Sequence, residues 1–119
     1  MTSGAEKRQH HRFMARLDLR VVSGERATPG DALTTLDIGV GGARCIAASR
    51  FEAGTRLQVA VHLVGGDLAE PAQVTAAASV LRCDIRPEPH HGLPYEVVLQ
   101  FLRLDPRDRR LLQNYLNSL

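Results

Sequence analysis

The residues best equipped to hold an anion fall in two short clusters, Arg8-Gln9-His10-His11-Arg12 near the N-terminus and Asp37-Ile38-Gly39-Val40-Gly41-Gly42 farther along. An arginine fork donates paired hydrogen bonds to a phosphate and stacks on a flat ring, so two forks four residues apart can act as a clamp. In an extended segment Arg8 and Arg12 share a face and lie roughly 13 Å apart, a span that one bulky ligand can bridge. Lys7 adds a third cation beside them, and His10 and His11 are secondary contacts. In the second cluster Asp37 is an acceptor, while Gly41 and Gly42 permit a tight turn or a close approach of backbone to a ligand.

Each cluster is weak taken singly. Arg8, Arg12, Arg16 and Arg20 recur every four residues, which is also the spacing of a solvated charged stripe on a helix. Asp-x-Gly-x-x-Gly also suits a plain hairpin turn. The elements that must carry the clusters decide the matter. Ala15, Leu17, Leu19 and Val21 alternate with Arg16, Asp18 and Arg20, which predicts a half-buried strand rather than a helix. Leu36, Ile38 and Val40 are expected on one face of the next strand, with Asp37, Gly39 and Gly41 on the other, and the chain then turns into Ala43–Ala47. Leu57, Val59, Val61 and Leu63 mark a strand with regular alternation. Val74–Ile85 is long and changes apolar parity between Val80 and Leu81, which predicts a bulge. Tyr95, Val97, Leu99 and Phe101 form the inward side of a last strand.

After Leu104 the period changes. Asp105 can cap a helix over 106–118, Pro106 suits its first position and Asp108 complements the dipole. Leu111, Leu112, Tyr115, Leu116 and Leu119 form its apolar face. The pattern is therefore all-β with one helix, six strands and a C-terminal α-helix.

A chain of 119 residues supports one core. With 44% apolar and only 4% aromatic residues, that core must be built from Leu, Val, Ile and Ala. The net charge of +2 is too small for a face that binds a nucleic-acid polymer, and the few aromatics sit on apolar faces instead of forming a stacking platform for RNA. Cys45 and Cys83 lack metal-ligand spacing and are expected to be buried thiols. His62, His90 and His91 have no partner at ligand spacing, so no metal site is expected. Ser49 and Ser79 lack the strand-turn-helix setting of a nucleophile, so catalysis is not expected. No run approaches the ~18 apolar residues of a membrane span, and the polar start Met1–Glu6 is unlike a signal peptide. A cytoplasmic location without membrane insertion follows as an expectation.

Arg8-x-x-x-Arg12 followed by Asp37-x-Gly39-x-x-Gly42 resembles the signature of PilZ domains, bacterial receptors for cyclic di-GMP, over roughly Lys7 to Leu119. The resemblance implies a six-stranded antiparallel barrel with a terminal helix, cyclic di-GMP as the ligand and no cofactor. As partner it implies a protein effector of motility, biofilm or exopolysaccharide control. The ligand-binding residues it implies are Arg8, Arg12, Asp37, Gly39, Gly41 and Gly42, with Lys7, His11 and Val98 beside them. Some PilZ-like domains instead act as interaction modules without nucleotide, which is the alternative reading.

Two positions depart from the family pattern. Gly39 stands where serine is usual, and restoring that hydroxyl is expected to tighten binding about tenfold to a hundredfold through one charge-assisted hydrogen bond. Val98 stands where a glycine is usual. Residues 1–13 contain only Met1, Ala5 and Phe13 as apolar side chains, too few to offset the ~1–2 kcal/mol per residue of backbone ordering. They are expected to form a flexible ligand-binding arm that orders when ligand binds, ahead of a barrel domain over 14–119.

Overall fold

The computed structural model describes residues 11–119, apart from the side chain of His90. Lys7, Arg8 and His10 lie outside this range. The described chain forms β1 (Asp18–Gly24), β2 (Ala32–Gly39), β3 (Gly42–Ala47), β4 (Arg56–Leu63), β5 (Ala72–His90), β6 (Leu93–Leu104) and helix α1 (Pro106–Asn117). The strands close into an antiparallel barrel in the order β1-β2-β3-β6-β5-β4, as the resemblance implies.

Alternating apolar residues fill the barrel: Leu19, Leu33, Ile38, Val59, Val61, Val74, Val80, Val97 and Leu99 are all within 1% of full burial. Asp105 caps α1 by accepting the Arg107 N–H at 2.9 Å, and Pro106 opens the helix. Leu112, Tyr115 and Leu116 join the barrel core, whereas Leu119, expected on that face, lies past the helix end and is exposed. Asp108 does more than face the dipole, because it also accepts the Thr75 N–H of β5 at 3.2 Å.

The parity change in β5 is a bulge at Leu81, between the pairs Val80↔Leu99 and Arg82↔Val98. Beyond it β5 runs five residues farther than the sequence pattern indicated. It returns into β6 through His91–Gly92, both left-handed at φ 52° and 77°. Cys45 is buried as expected, and burial pushes its thiol pKa up. Cys83 follows the bulge, is only half-buried and accepts the Phe51 N–H at 3.4 Å.

The face assignment on β2 needs correction. Its register shifts between Thr35 and Asp37, so Leu33, Thr35 and Ile38 point inward while Leu36 is only half-buried. Thr35 is a buried polar residue that closes its own account: its hydroxyl accepts the Leu17 N–H at 2.8 Å and donates to the Ala15 carbonyl at 2.6 Å. This side-chain bridge ties the segment before β1 to β2, alongside the Thr35 N–H to Leu17 carbonyl bond of 2.9 Å.

Candidate functional site

The N-terminal strap, residues 11–17, runs antiparallel to β2 past its bulge. Phe13 and Ile38 exchange both backbone hydrogen bonds, N–H to carbonyl at 2.8 Å one way and 2.9 Å the other. That bridge brings Arg12 beside Asp37, and Arg12 Nη1 donates to Asp37 Oδ1 at 2.8 Å. Residues 25 positions apart are thus joined at the point where the two sequence clusters meet.

Asp37 has a second partner that the sequence reading missed. Arg44 Nε donates to Asp37 Oδ2 at 3.0 Å, because Asp37 and Arg44 are paired in the β2–β3 ladder. The signal was available: a hairpin with Gly39 opposite Gly42 puts Ile38 opposite Ala43 and Asp37 opposite Arg44. With its side chain only 14% exposed, Asp37 sits between two guanidiniums. Burial pushes its pKa up, but hydrogen bonds from Arg12 and Arg44, and then their charges, outweigh this and hold the carboxyl below its ordinary value.

The ion pairs continue across the outer face of the barrel. Arg44 Nη1 lies 3.8 Å from Glu96, which also receives Arg86 in a short hydrogen bond and has Arg82 at 3.8 Å. Arg82 in turn meets Asp84 at 2.5 Å. Neither Arg86 nor Glu96 was singled out from sequence, because they come together only through the extended β5–β6 hairpin. Val98 lies on this face, paired with Arg44 on one side and Arg82 on the other. Arg44 and Arg86 also line a cavity of about 360 Å³, together with Met14, Ala15, Arg16 and Leu36.

Two glycines of the second cluster, Gly39 and Gly42, admit neighbouring backbone. A Cβ on Gly39 would lie 2.4 Å from the His11 carbonyl oxygen, so the bare glycine forms a notch in which the strap backbone rests. A serine hydroxyl at 39 has no room while the strap sits there, and the expectation of tighter binding on restoring it does not survive this geometry. A Cβ on Gly42 would meet the Leu99 carbonyl oxygen at 2.3 Å, so this glycine admits β6 against β3. The Gly41 carbonyl accepts the Phe101 N–H at 2.9 Å. His11 is exposed, and its ring meets Phe13 edge-on with centroids 5.1 Å apart. Among the described residues, no three His, Cys, Asp or Glu side chains gather as a metal site would require, and no helix is long and apolar enough to cross a membrane.

The family model of the PilZ domain matches residues 6–118. The chain belongs to the PilZ family. Among solved structures, this PilZ barrel is similar to the inhibitor of motility MotI/DgrA of Bacillus subtilis, with a TM-score of 0.73 and 21% identity over 92% of this chain and 49% of that one. It also resembles the PilZ domain of Escherichia coli YcgR with c-di-GMP, at TM-score 0.67 and 16% identity, over 95% of this chain and 91% of that one. A longer YcgR in complex with c-di-GMP gives TM-score 0.66 and 17% identity, over 95% of this chain and 46% of that one. The chain therefore spans about half the length of MotI/DgrA and of the longer YcgR. Among curated proteins, none matches the sequence.

Proposed function

We propose that this PilZ domain is a cyclic di-GMP receptor whose strap and β2–β3 hairpin jointly hold the dinucleotide. The observation that carries the reading is the meeting of Arg12 and Asp37 at 2.8 Å, with Arg44, the second partner of Asp37, lining an arginine-rich cavity. Arginine forks suit the two phosphates and the O6/N7 edges of guanine, and an aspartate suits the guanine N1–H and amino group. Similarity in fold to YcgR with c-di-GMP supports the ligand assignment.

In this reading Arg8 and Lys7, outside the described residues, complete the clamp, and His11 and Val98 border it. Binding switches a contact and catalyses no reaction: the strap from residue 11 onward is already seated on β2, ligand orders the arm ahead of it, and arm and barrel together present a surface that a cytoplasmic protein effector reads. An effector of motility is in keeping with the similarity to MotI/DgrA.

Calorimetry on the full chain tests the assignment. Cyclic di-GMP should bind in preference to GTP and a linear dinucleotide, and Arg8→Ala and Arg12→Ala should each remove most of the binding. Unchanged titrations in both variants overturn it. Backbone NMR order for residues 1–10 with and without ligand tests the switch separately. One observation favours the alternative of an interaction module without nucleotide: the His11 backbone occupies the space of the usual serine at 39. Absence of any heat with cyclic di-GMP would select it.

A further inference from the structure

Gly39 removes a hydroxyl donor from this site, and the strap backbone fills the space it would need. A receptor built this way must take its anion contacts from elsewhere. The cavity of about 360 Å³ that Arg44 lines has three arginines in its wall, Arg16, Arg44 and Arg86, and no carboxylate among the described residues. Arg44 is shared between Asp37 at 3.0 Å and Glu96 at 3.8 Å, the longer of which is a loose ion pair. Arg86 binds Glu96 through Nη1, while its Nε is buried without a hydrogen-bond partner, an arrangement that costs free energy unless an acceptor arrives. Among the described residues, the connected ion-pair network sets Arg12, Arg44, Arg82 and Arg86 against Asp37, Asp84 and Glu96, leaving one cation in excess.

We propose that Arg44 and Arg86 form an anion subsite in this cavity that receives a phosphodiester of the ligand in place of the missing hydroxyl at position 39. A guanidinium carries five N–H donors, and Arg44 presents only Nε and Nη1 to its carboxylates, so a phosphate can be received without first dissolving the Asp37 pair. The proposal rests on the cyclic di-GMP reading for the identity of the ligand. The chemistry it needs is a phosphate group.

The experiment is calorimetry of the full chain with cyclic di-GMP at low and moderate salt, for wild type, Arg44→Ala, Arg44→Lys, Arg86→Ala and Arg82→Ala. Arg44→Ala and Arg86→Ala should each weaken binding about tenfold to a hundredfold and flatten its salt dependence. Arg44→Lys, which keeps the charge and loses the fork, should fall between. Arg82→Ala, at a residue that lines not this cavity but a second one shared with Arg86, should stay within about twofold.

Binding that depends on Arg12 but is indifferent to Arg44 and Arg86 overturns the subsite and leaves the receptor assignment standing. If wild type takes up no cyclic di-GMP, the receptor assignment falls. The subsite is then judged with inorganic pyrophosphate, which should shift the Nε–H NMR signals of Arg44 and Arg86 ahead of those of Arg82. Pyrophosphate that moves none of them overturns it.

Discussion

Replacing Gly39 with serine or alanine tests whether the strap is seated by the barrel. The new Cβ starts 2.4 Å from the His11 carbonyl oxygen, whereas ordinary contact begins near 3.4 Å, so the backbones must separate by about 1 Å. Gly39 is paired with Gly42 inside the β2–β3 ladder, and the strap is the part that yields. Its nearest anchors are the two Phe13–Ile38 hydrogen bonds of 2.8 and 2.9 Å. Losing both costs about 1–3 kcal/mol at ~0.5–1.5 kcal/mol each, a rise in local opening of about 5- to 150-fold. Amide hydrogen exchange on the ligand-free chain reads this directly. Phe13 and Ile38 should lose protection by that factor in both variants, while Val59 and Val61 in β4 should be unaffected. Protection at Phe13 unchanged in both variants, or tighter cyclic di-GMP binding by Gly39→Ser, would refute the seating argument.

Three other perturbations have defined outcomes. Asp37 contributes stability because its folded pKa is depressed; that contribution is complete above the unfolded carboxyl value near ~4 and is lost as pH falls through the lower folded value. Acid denaturation midpoints should therefore show wild type losing more stability than Asp37→Asn below pH ~4, with Asp37→Asn the less stable at neutral pH. Thr35→Val keeps the shape but leaves the Leu17 N–H and the Ala15 carbonyl without their partner, and urea unfolding should record a loss of about 2–3 kcal/mol. Leu112→Ala opens a cavity where α1 meets the barrel and should cost about 2–5 kcal/mol by the same measurement.

The barrel was legible because alternation survives wherever a strand has one wet face: Leu57–Leu63 and Tyr95–Phe101 read directly into β4 and β6. It failed at β2, where the bulge between Thr35 and Asp37 slips the register and a threonine takes an inward place that hydrophobicity would not assign to it. The far part of β5 was hidden for a related reason, since Arg86-Pro87-Glu88-Pro89 has no buried face to impose a period. Of the site, the Arg12–Asp37 pair was carried by the motif resemblance, and Arg44 was recoverable from hairpin register. Arg86 and Glu96 were not, because their meeting depends on the length of the β5–β6 hairpin. The roles of Gly39 and Gly42 were also out of reach: a missing side chain does not show which backbone fills its space.

Two forces hold Arg12 beside Asp37, and ionic strength separates them. The ion pair is partly exposed, with the arginine side chain 28% accessible, and such pairs are worth about 0–1 kcal/mol and weaken with salt. The Phe13–Ile38 bridge and the notch at Gly39 involve backbone dipoles and contact, which salt scarcely affects. If the notch seats the strap, raising sodium chloride from about 0.05 M to about 0.5 M should leave Phe13 amide protection in the free chain within about twofold, the screening length falling from roughly 14 to 4 Å. Over the same range cyclic di-GMP affinity should drop steeply, because the ligand is held by charged forks. Should Phe13 protection fall in step with affinity, the strap is held by its charges and not by the glycine beneath it.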